Sequence, residues 1–340
     1  MRKLNVLAGT ASLGTLWALA GLLAVLHPSS AAAAQNRPPP VTSVVQFNAA
    51  AGELPESMTA DEDGNLFVSL VNGQVREILP NHSVVQIATV PLVGASALTG
   101  IKVGPDGLIY VTSSDFTPNE PGSSAVWRIR PSTGAAEVFA ELDDTGFPND
   151  LAFDDDGNLL VTDPFLGRVY SIDDCGHVSV FLQDPLLLGD PTSQAFPQHA
   201  FGVDGIAFDK NKKNLFLGNV DFGRVLKVPL RGHGAPTIQV VVQDPALEGI
   251  DGIAVDNSGT VYAAVNTQNR IATVDKQGRI RVVVEGAPLD SPSSFAFGVG
   301  HDKHTLFFTN FAIVSANTPG GTPHPGVLSI PVSTPGAPLL

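Results

Sequence analysis

The chain has 340 residues, 43% of them hydrophobic and 15% charged, which is ample apolar material for a large core. Its formal net charge of −14 argues against nucleic acid and anionic membrane as partners, since both need a basic face. A single cysteine, Cys175, rules out an intrachain disulfide, and 34 glycines with 27 prolines favour many turns over a few long helices.

The first residues read as an export signal. Arg2 and Lys3 precede an apolar stretch from Leu4 to Leu26, and the run Ala31-Ala32-Ala33-Ala34 offers small residues to signal peptidase. Cleavage predicts a secreted or periplasmic protein without membrane attachment, although the apolar stretch is long enough to cross a bilayer if retained. Residues 1–34 are thus assigned as signal, 35–41 as a stiff linker, 42–332 as one folded domain and 333–340 as a C-terminal tail. A monomer is expected.

From Thr42 onward the chain reads as strands. Thr42-Ser43-Val44-Val45-Gln46-Phe47 alternates in the strand manner, and six copies of one pattern follow. Each copy has a polar residue, an apolar run, a polar turn and a second apolar run. The copies open at Glu56-Ser57-Met58-Thr59-Ala60-Asp61, Thr99-Gly100-Ile101-Lys102-Val103-Gly104 and Asn149-Asp150-Leu151-Ala152-Phe153-Asp154. They continue at Asp204-Gly205-Ile206-Ala207-Phe208-Asp209, Asp251-Gly252-Ile253-Ala254-Val255-Asp256 and Ser293-Ser294-Phe295-Ala296-Phe297-Gly298. Successive openings are 43, 50, 55, 47 and 42 residues apart, the period of a four-stranded propeller blade. Asp63-Gly64, Asp106-Gly107, Asp156-Gly157 and Ser258-Gly259 supply hairpin turns between the first two strands. The sixth copy has only three visible strands, so Thr42 to Phe47 is expected to supply its fourth and close the ring. The expected fold is all-β: a six-bladed β-propeller of four-stranded blades, with the N-terminal strand completing the last blade.

First strands of a propeller line its central channel, so residues opening them converge at one mouth. That ring is Glu56, Thr99, Asn149, Asp204, Asp251 and Ser293, all with side-chain oxygen and none of them His or Cys. Oxygen-only donors select hard cations, and a wide flexible ring suits Ca²⁺ better than Mg²⁺. Three carboxylates about 5 Å apart would repel by roughly 3 kcal/mol per pair at an effective dielectric of 20, so a cation or a retained proton is needed. Second strands end at the same mouth with Leu70, Ser113, Asp163, Asn219, Val265 and Asn310. Of these, Asp163 and Asn219 either orient ligands from behind or open turns. The long connections 113–124 and 310–326 overhang this mouth. His199 also lies there, as a possible proton shuttle or a bland loop residue. Asp154-Asp155-Asp156-Gly157-Asn158 reads as a hairpin turn rather than a calcium-binding loop, and nothing marks Cys175 as a nucleophile.

The six-copy pattern resembles the senescence-marker-protein/gluconolactonase/luciferin-regenerating-enzyme family. It is carried by Glu56, Asn149-Asp150 and Asp251-Gly252-Ile253-Ala254-Val255-Asp256, over roughly residues 42 to 332. The resemblance implies a divalent cation at the channel mouth and, for many members, lactonase activity. It matches Glu56, Asp204 and Asp251 to the metal ligands and Asn149 to the Asn that binds calcium or substrate. Asp204 stands where Asn is common, and Phe147 stands where the sugar-lactone enzymes carry Arg, which points to a more apolar substrate. The leading expectation is a secreted calcium-dependent hydrolase of a small-molecule lactone or related ester. Asp251, Asp204 or, less favourably, Asp150 would activate water, and Asn149, Thr99, Phe147 and His199 would face the substrate. Two other readings stay open: a non-enzymatic propeller stiffened by calcium that binds a ligand or protein, and a metal-independent lyase or synthase on the same scaffold.

Overall fold

The computed structural model describes residues 37–117, 120–193, 199–230 and 236–337; the expected export signal lies outside them. Among the described residues no helix is long and apolar enough to cross a membrane. From Pro38 onward the chain is one compact unit.

Six four-stranded antiparallel sheets follow one another along the chain. Blade one uses Pro55–Ala60, Leu66–Leu70, Gln74–Ile78 and Val84–Thr89, and the other blades repeat that up-and-down order. The first two strands of a blade are short apolar runs with few charges, and every residue of Pro55–Ala60, Leu66–Leu70, Leu159–Asp163 and Val261–Val265 is buried. Outer strands are mostly exposed instead: Val84, Val138, Val180, Val240 and Val282 face solvent from the fourth strands of blades one to five. The hairpin turns carry glycine because φ is positive there, between 74° and 86° at Gly64, Gly107, Gly157 and Gly259.

The core is distributed among the blade interfaces. Blade one packs on blade two through Phe67, Val75, Leu98, Ile101 and Trp127. Blades two and three meet around Tyr110, Val126, Leu151 and Phe153, and blades three and four around Leu160, Val169, Ile206 and Leu217. Comparable clusters join four to five and five to six. The circle closes where Met58, Leu66 and Val68 of blade one meet Ala296 and Val327 of blade six. Each fully buried Leu, Ile or Val contributes about 1.5–3 kcal/mol of burial, and these clusters draw their members from two adjacent blades.

Closure follows the sequence expectation. Thr42–Gln46 pairs antiparallel with Gly326–Pro331, Thr42 opposite Ser329 and Gln46 opposite Gly326. Residues assigned to the tail do not hang free: Gly336 bridges Asp256, the Asn257 N–H donates to Pro335 O at 2.8 Å, and the Ala337 N–H donates to Val255 O at 3.0 Å. A one-turn helix, Ile313–Asn317, lies in the long connection of blade six.

A candidate carboxylate ring at one mouth of the channel

Five of the six ring positions are β-bulges. In blade two, Leu98 pairs with Ser113 and Ile101 with Val111, so Thr99 and Gly100 together oppose the single residue Thr112. Asp204-Gly205 oppose Gly218, Asp251-Gly252 oppose Ala264, and Ser293-Ser294 oppose Thr309 in the same way. In blade one the ladder shifts around Glu56. In blade three Asn149-Asp150 precede a strand that starts at Leu151, with the Asn149 N–H bonded to Thr162 O at 2.9 Å. A bulge breaks strand alternation and re-aims a side chain; here it does so at the ring position of five blades.

The second bulge residue is held tightly against the next blade. A side chain on Gly205 would run into the carbonyl of Asp251, and one on Gly252 into the carbonyl of Ser293, which is why glycine stands there. Blade three differs. Its second residue is Asp150, whose Oδ1 accepts the Leu151 N–H (2.9 Å) and whose Oδ2 accepts the Ile206 N–H of blade four (3.1 Å). This carboxylate therefore clasps two blades.

Thr99 and Ser293 share the register but turn inward. The Thr99 hydroxyl lies 2.8 Å from Thr112 Oγ1 and 2.9 Å from Pro148 O. Ser293 Oγ lies 2.5 Å from Glu56 O and 2.8 Å from Thr309 Oγ1. With Ser69, which donates to Thr99 O at 2.5 Å, and Thr112, which donates to Asn149 O at 2.5 Å, they form a hydroxyl belt joining neighbouring blades. Their oxygens are engaged by the protein itself.

The other four ring members are placed differently. Glu56 and Asp204 are 5% and 4% exposed, Asn149 is buried and Asp251 half-buried. Glu56 Oε2 and Asp204 Oδ1 have no hydrogen-bond partner, and no described residue hydrogen-bonds the Asn149 side chain. Burial is the main force holding all three ring carboxyls above their usual range. Each is raised further by neighbouring carboxylates: Asp204 and Asp150 act on Glu56, Asp251 and Asp150 on Asp204, and Glu56 and Asp150 on Asp251. Burial also raises Asp150, against the nearby Lys102 and its two backbone donors. The three ring carboxylates do not all lie within 4.8 Å of one another; among the described residues only Asp173, Cys175 and His177, in a surface turn, do so as a group of three.

Buried anionic oxygens without a donor are costly. Orphaned Glu56 Oε2 and Asp204 Oδ1, in an all-oxygen set with Asp251 and Asn149, fit a hard divalent cation. Asn266 completes the surroundings, and sequence reasoning missed it by placing Val265 at the end of that strand. Its Nδ2 donates to Asp251 Oδ2 at 2.9 Å, while its own Oδ1 is buried without a partner. The ends of other second strands pin the loops that enter the ring. Asp163 Oδ1 accepts the Phe147 N–H at 3.0 Å, Asn219 Nδ2 donates to Leu188 O at 2.9 Å, and Asn310 Oδ1 accepts the Asp290 N–H at 2.8 Å. Asp163 and Asn219 thus both open turns and hold the ring from behind.

Phe147 is buried beside Phe201, and His199 stacks on Phe165 with ring centroids 4.5 Å apart. A cavity of about 670 Å³ occupies the channel below the ring, reached from the opposite mouth and walled by Ile206, Ile253 and Phe295.

Fold and ring together define a six-bladed propeller that gathers buried carboxylates on its axis. The SMP-30/Gluconolactonase/LRE-like region matches residues 123–312, more than half of the chain, and the protein belongs to this family. It is 26% identical over 227 residues to a gluconolactonase of Zymomonas mobilis, a match covering 62% of this chain and 60% of that protein's length, less than two thirds of it. It is 24% identical over 238 residues to lactonase drp35 of Staphylococcus aureus, covering 66% of this chain and 67% of the relative. Among solved structures, regucalcin of Agrobacterium tumefaciens, described as a calcium-binding protein, superposes with a TM-score of 0.61 at 17% identity over 88% of this chain and 95% of that one.

Proposed function

We propose that the protein is an exported hydrolase of a small lactone or related ester, working with a calcium ion held by Glu56, Asn149, Asp204 and Asp251. The observation that carries this reading is the set of buried ring carboxylates with orphaned oxygens, in a chain related to a gluconolactonase and a lactonase. When bound, the cation would supply Lewis-acid polarisation of the scissile carbonyl.

The chain's own groups do the rest. Asp251 is the most accessible of the three ring carboxylates and is oriented through Oδ2 by Asn266, so it takes the proton from the attacking water. Asp204, fully buried, holds charge rather than moving protons. Asp150 has both oxygens engaged by backbone donors and fixes the spacing between blades three and four.

The test is a panel of lactones, aryl esters and phosphotriesters, assayed with calcium and with chelator. Calcium-dependent turnover of a lactone or ester is expected. Absence of metal-dependent hydrolysis across the panel would leave a calcium-stiffened binding propeller as the better description.

A further inference from the structure

We propose that the ring mouth carries a subsite for a flat aromatic group, so that the ester accepted there is aryl-substituted or benzo-fused rather than polyhydroxylated. This rests on the hydrolase reading above for the scissile bond, and on separate observations for the subsite.

Five rings from three blades meet at this mouth. Phe147 and Phe201 form the buried floor, 2% and 3% exposed, with Val220 beside them. Phe116 lies 4.5 Å from Phe147 and 6.1 Å from Phe201 between centroids. Phe165 lies 4.9 Å from Phe147 and 5.0 Å from Phe201 and carries His199 on its face. Sequence neighbours fix the place of the cluster: Phe147 comes two residues before Asn149 and Phe201 three before Asp204. The wall therefore rises from consecutive ring members of blades three and four.

Exposure singles out one of these rings. Phe116 is 46% exposed and is the only aromatic among the exposed large hydrophobic residues of the described chain; most of the others are valines on outer strands. It is held over the floor by ring contacts and keeps nearly half of its surface exposed. That is the arrangement of an apolar wall awaiting a ligand.

The two carboxylates that support these rings are engaged by the protein itself. Asp163 Oδ1 accepts the N–H groups of Phe147, Phe165 and Leu166, and its Oδ2 accepts the Tyr170 hydroxyl. Asp115 Oδ1 accepts the Thr117 N–H and hydroxyl. A polyol laid against these rings would give up its water contacts without replacement. An aromatic face loses nothing there, and the loops are already tied down, since the Gly202 N–H donates to Pro164 O at 2.9 Å.

The experiment compares wild type with Phe116→Ala on a benzo-fused lactone and on a polyhydroxylated lactone of the same ring size. Wild type should prefer the benzo-fused substrate. Phe116→Ala should raise its KM about 3- to 10-fold with little change in kcat, and should leave the polyol lactone unaffected. A wild-type preference for the polyol, or an equal effect on both substrates, overturns the subsite. Calorimetric binding of the corresponding benzo-fused lactam, which is not hydrolysed, separates the two readings. Binding weakened by Phe116→Ala, in a protein that hydrolyses nothing, supports the subsite and sinks the hydrolase. Hydrolysis without lactam binding does the reverse. Phe116 is too exposed for its loss to unfold the protein, and a thermal melt of the variant verifies this.

Discussion

Two arcs of the same mouth use one scaffold differently. On blades two to four the long connections 115–124, 142–150 and 184–202, with the four-residue return after Asp163, bring Phe116, Phe147, Phe165 and Phe201 into a single apolar wall. Blade five is entered by the short connection 244–249 and turns back from Val265 to Arg270, a return that sets Asn266 against Asp251. Nearby, Asp190, Asp221, Glu248, Thr267 and Gln268 line a polar cleft of about 540 Å³. Both arcs stand on the same bulge. The repeated backbone fixes where a ring side chain sits, and connection length decides what surrounds it.

The sharpest way to break this comparison is at the polar arc. Asp251→Asn should lower turnover by about a thousandfold or more at saturating calcium, because it removes the base and one ligand charge. The same change relieves repulsion among Glu56, Asp150 and Asp251, so the cation-free variant should melt no lower than wild type. Full activity in Asp251→Asn would move the chemistry out of this ring.

Cation removal should come next in size, with a definite pH sign. The folded-state pKa values of Glu56, Asp204 and Asp251 are all raised above the unfolded carboxyl range of about 4. Their contribution is therefore most favourable below that range, and it is lost as pH rises through the folded values. Asp143, Asp173, Asp190 and Asp275 are lowered and act oppositely, losing their contribution as pH falls. Melting curves in chelator and in calcium should diverge as pH rises from 4 to 8. Parallel curves would mean that the ring holds no cation.

A smaller effect should sharpen the contrast between the arcs. Asn266→Ala frees Asp251 Oδ2 and should cost roughly 10- to 100-fold in calcium affinity or turnover, with equal loss on aromatic and polyol lactones. The Phe116 substitution, by contrast, should separate them. If Asn266→Ala also discriminates between substrates, the division of labour between arcs is wrong.

How much of this was legible in the sequence varies with distance along the chain. Blade count, closure by Thr42–Gln46 and the shared register of the ring positions are visible because each depends on a few adjacent residues repeated at one period. The hydroxyl belt is not visible. Thr99 and Ser293 carry the same donor atom as a ligand would, and only their partners at Pro148 and Glu56 reveal the difference. Asn266 escaped because blade five places its polar residue one position later than Asp163, Asn219 and Asn310. The aromatic wall escaped because Phe116, Phe165 and Phe201 lie on connections of unequal length, so no period links them.

The smallest predicted effect follows from the belt. Thr99→Val should lower stability by about 1 kcal/mol, since Pro148 O keeps a hydrogen bond from Ser114. Turnover should drop no more than about twofold, in keeping with a residue that joins blades. A much larger loss of turnover at unchanged melting temperature would return Thr99 to the substrate side.

The pairing of Thr42–Gln46 with Gly326–Pro331 imposes an order on assembly. Blades one to five can each fold on their predecessor as the chain emerges, because their strands are contiguous. The first strand made must wait for the last, with close to the whole domain between them, and such a distant contact is slow to form. Until it does, blades one and six each present a bare flank to solvent and to other chains. Loss of Gly326–Pro331, a short segment far from every ring carboxylate in sequence, would therefore leave a protein that makes most of its sheets and still cannot become a closed circle.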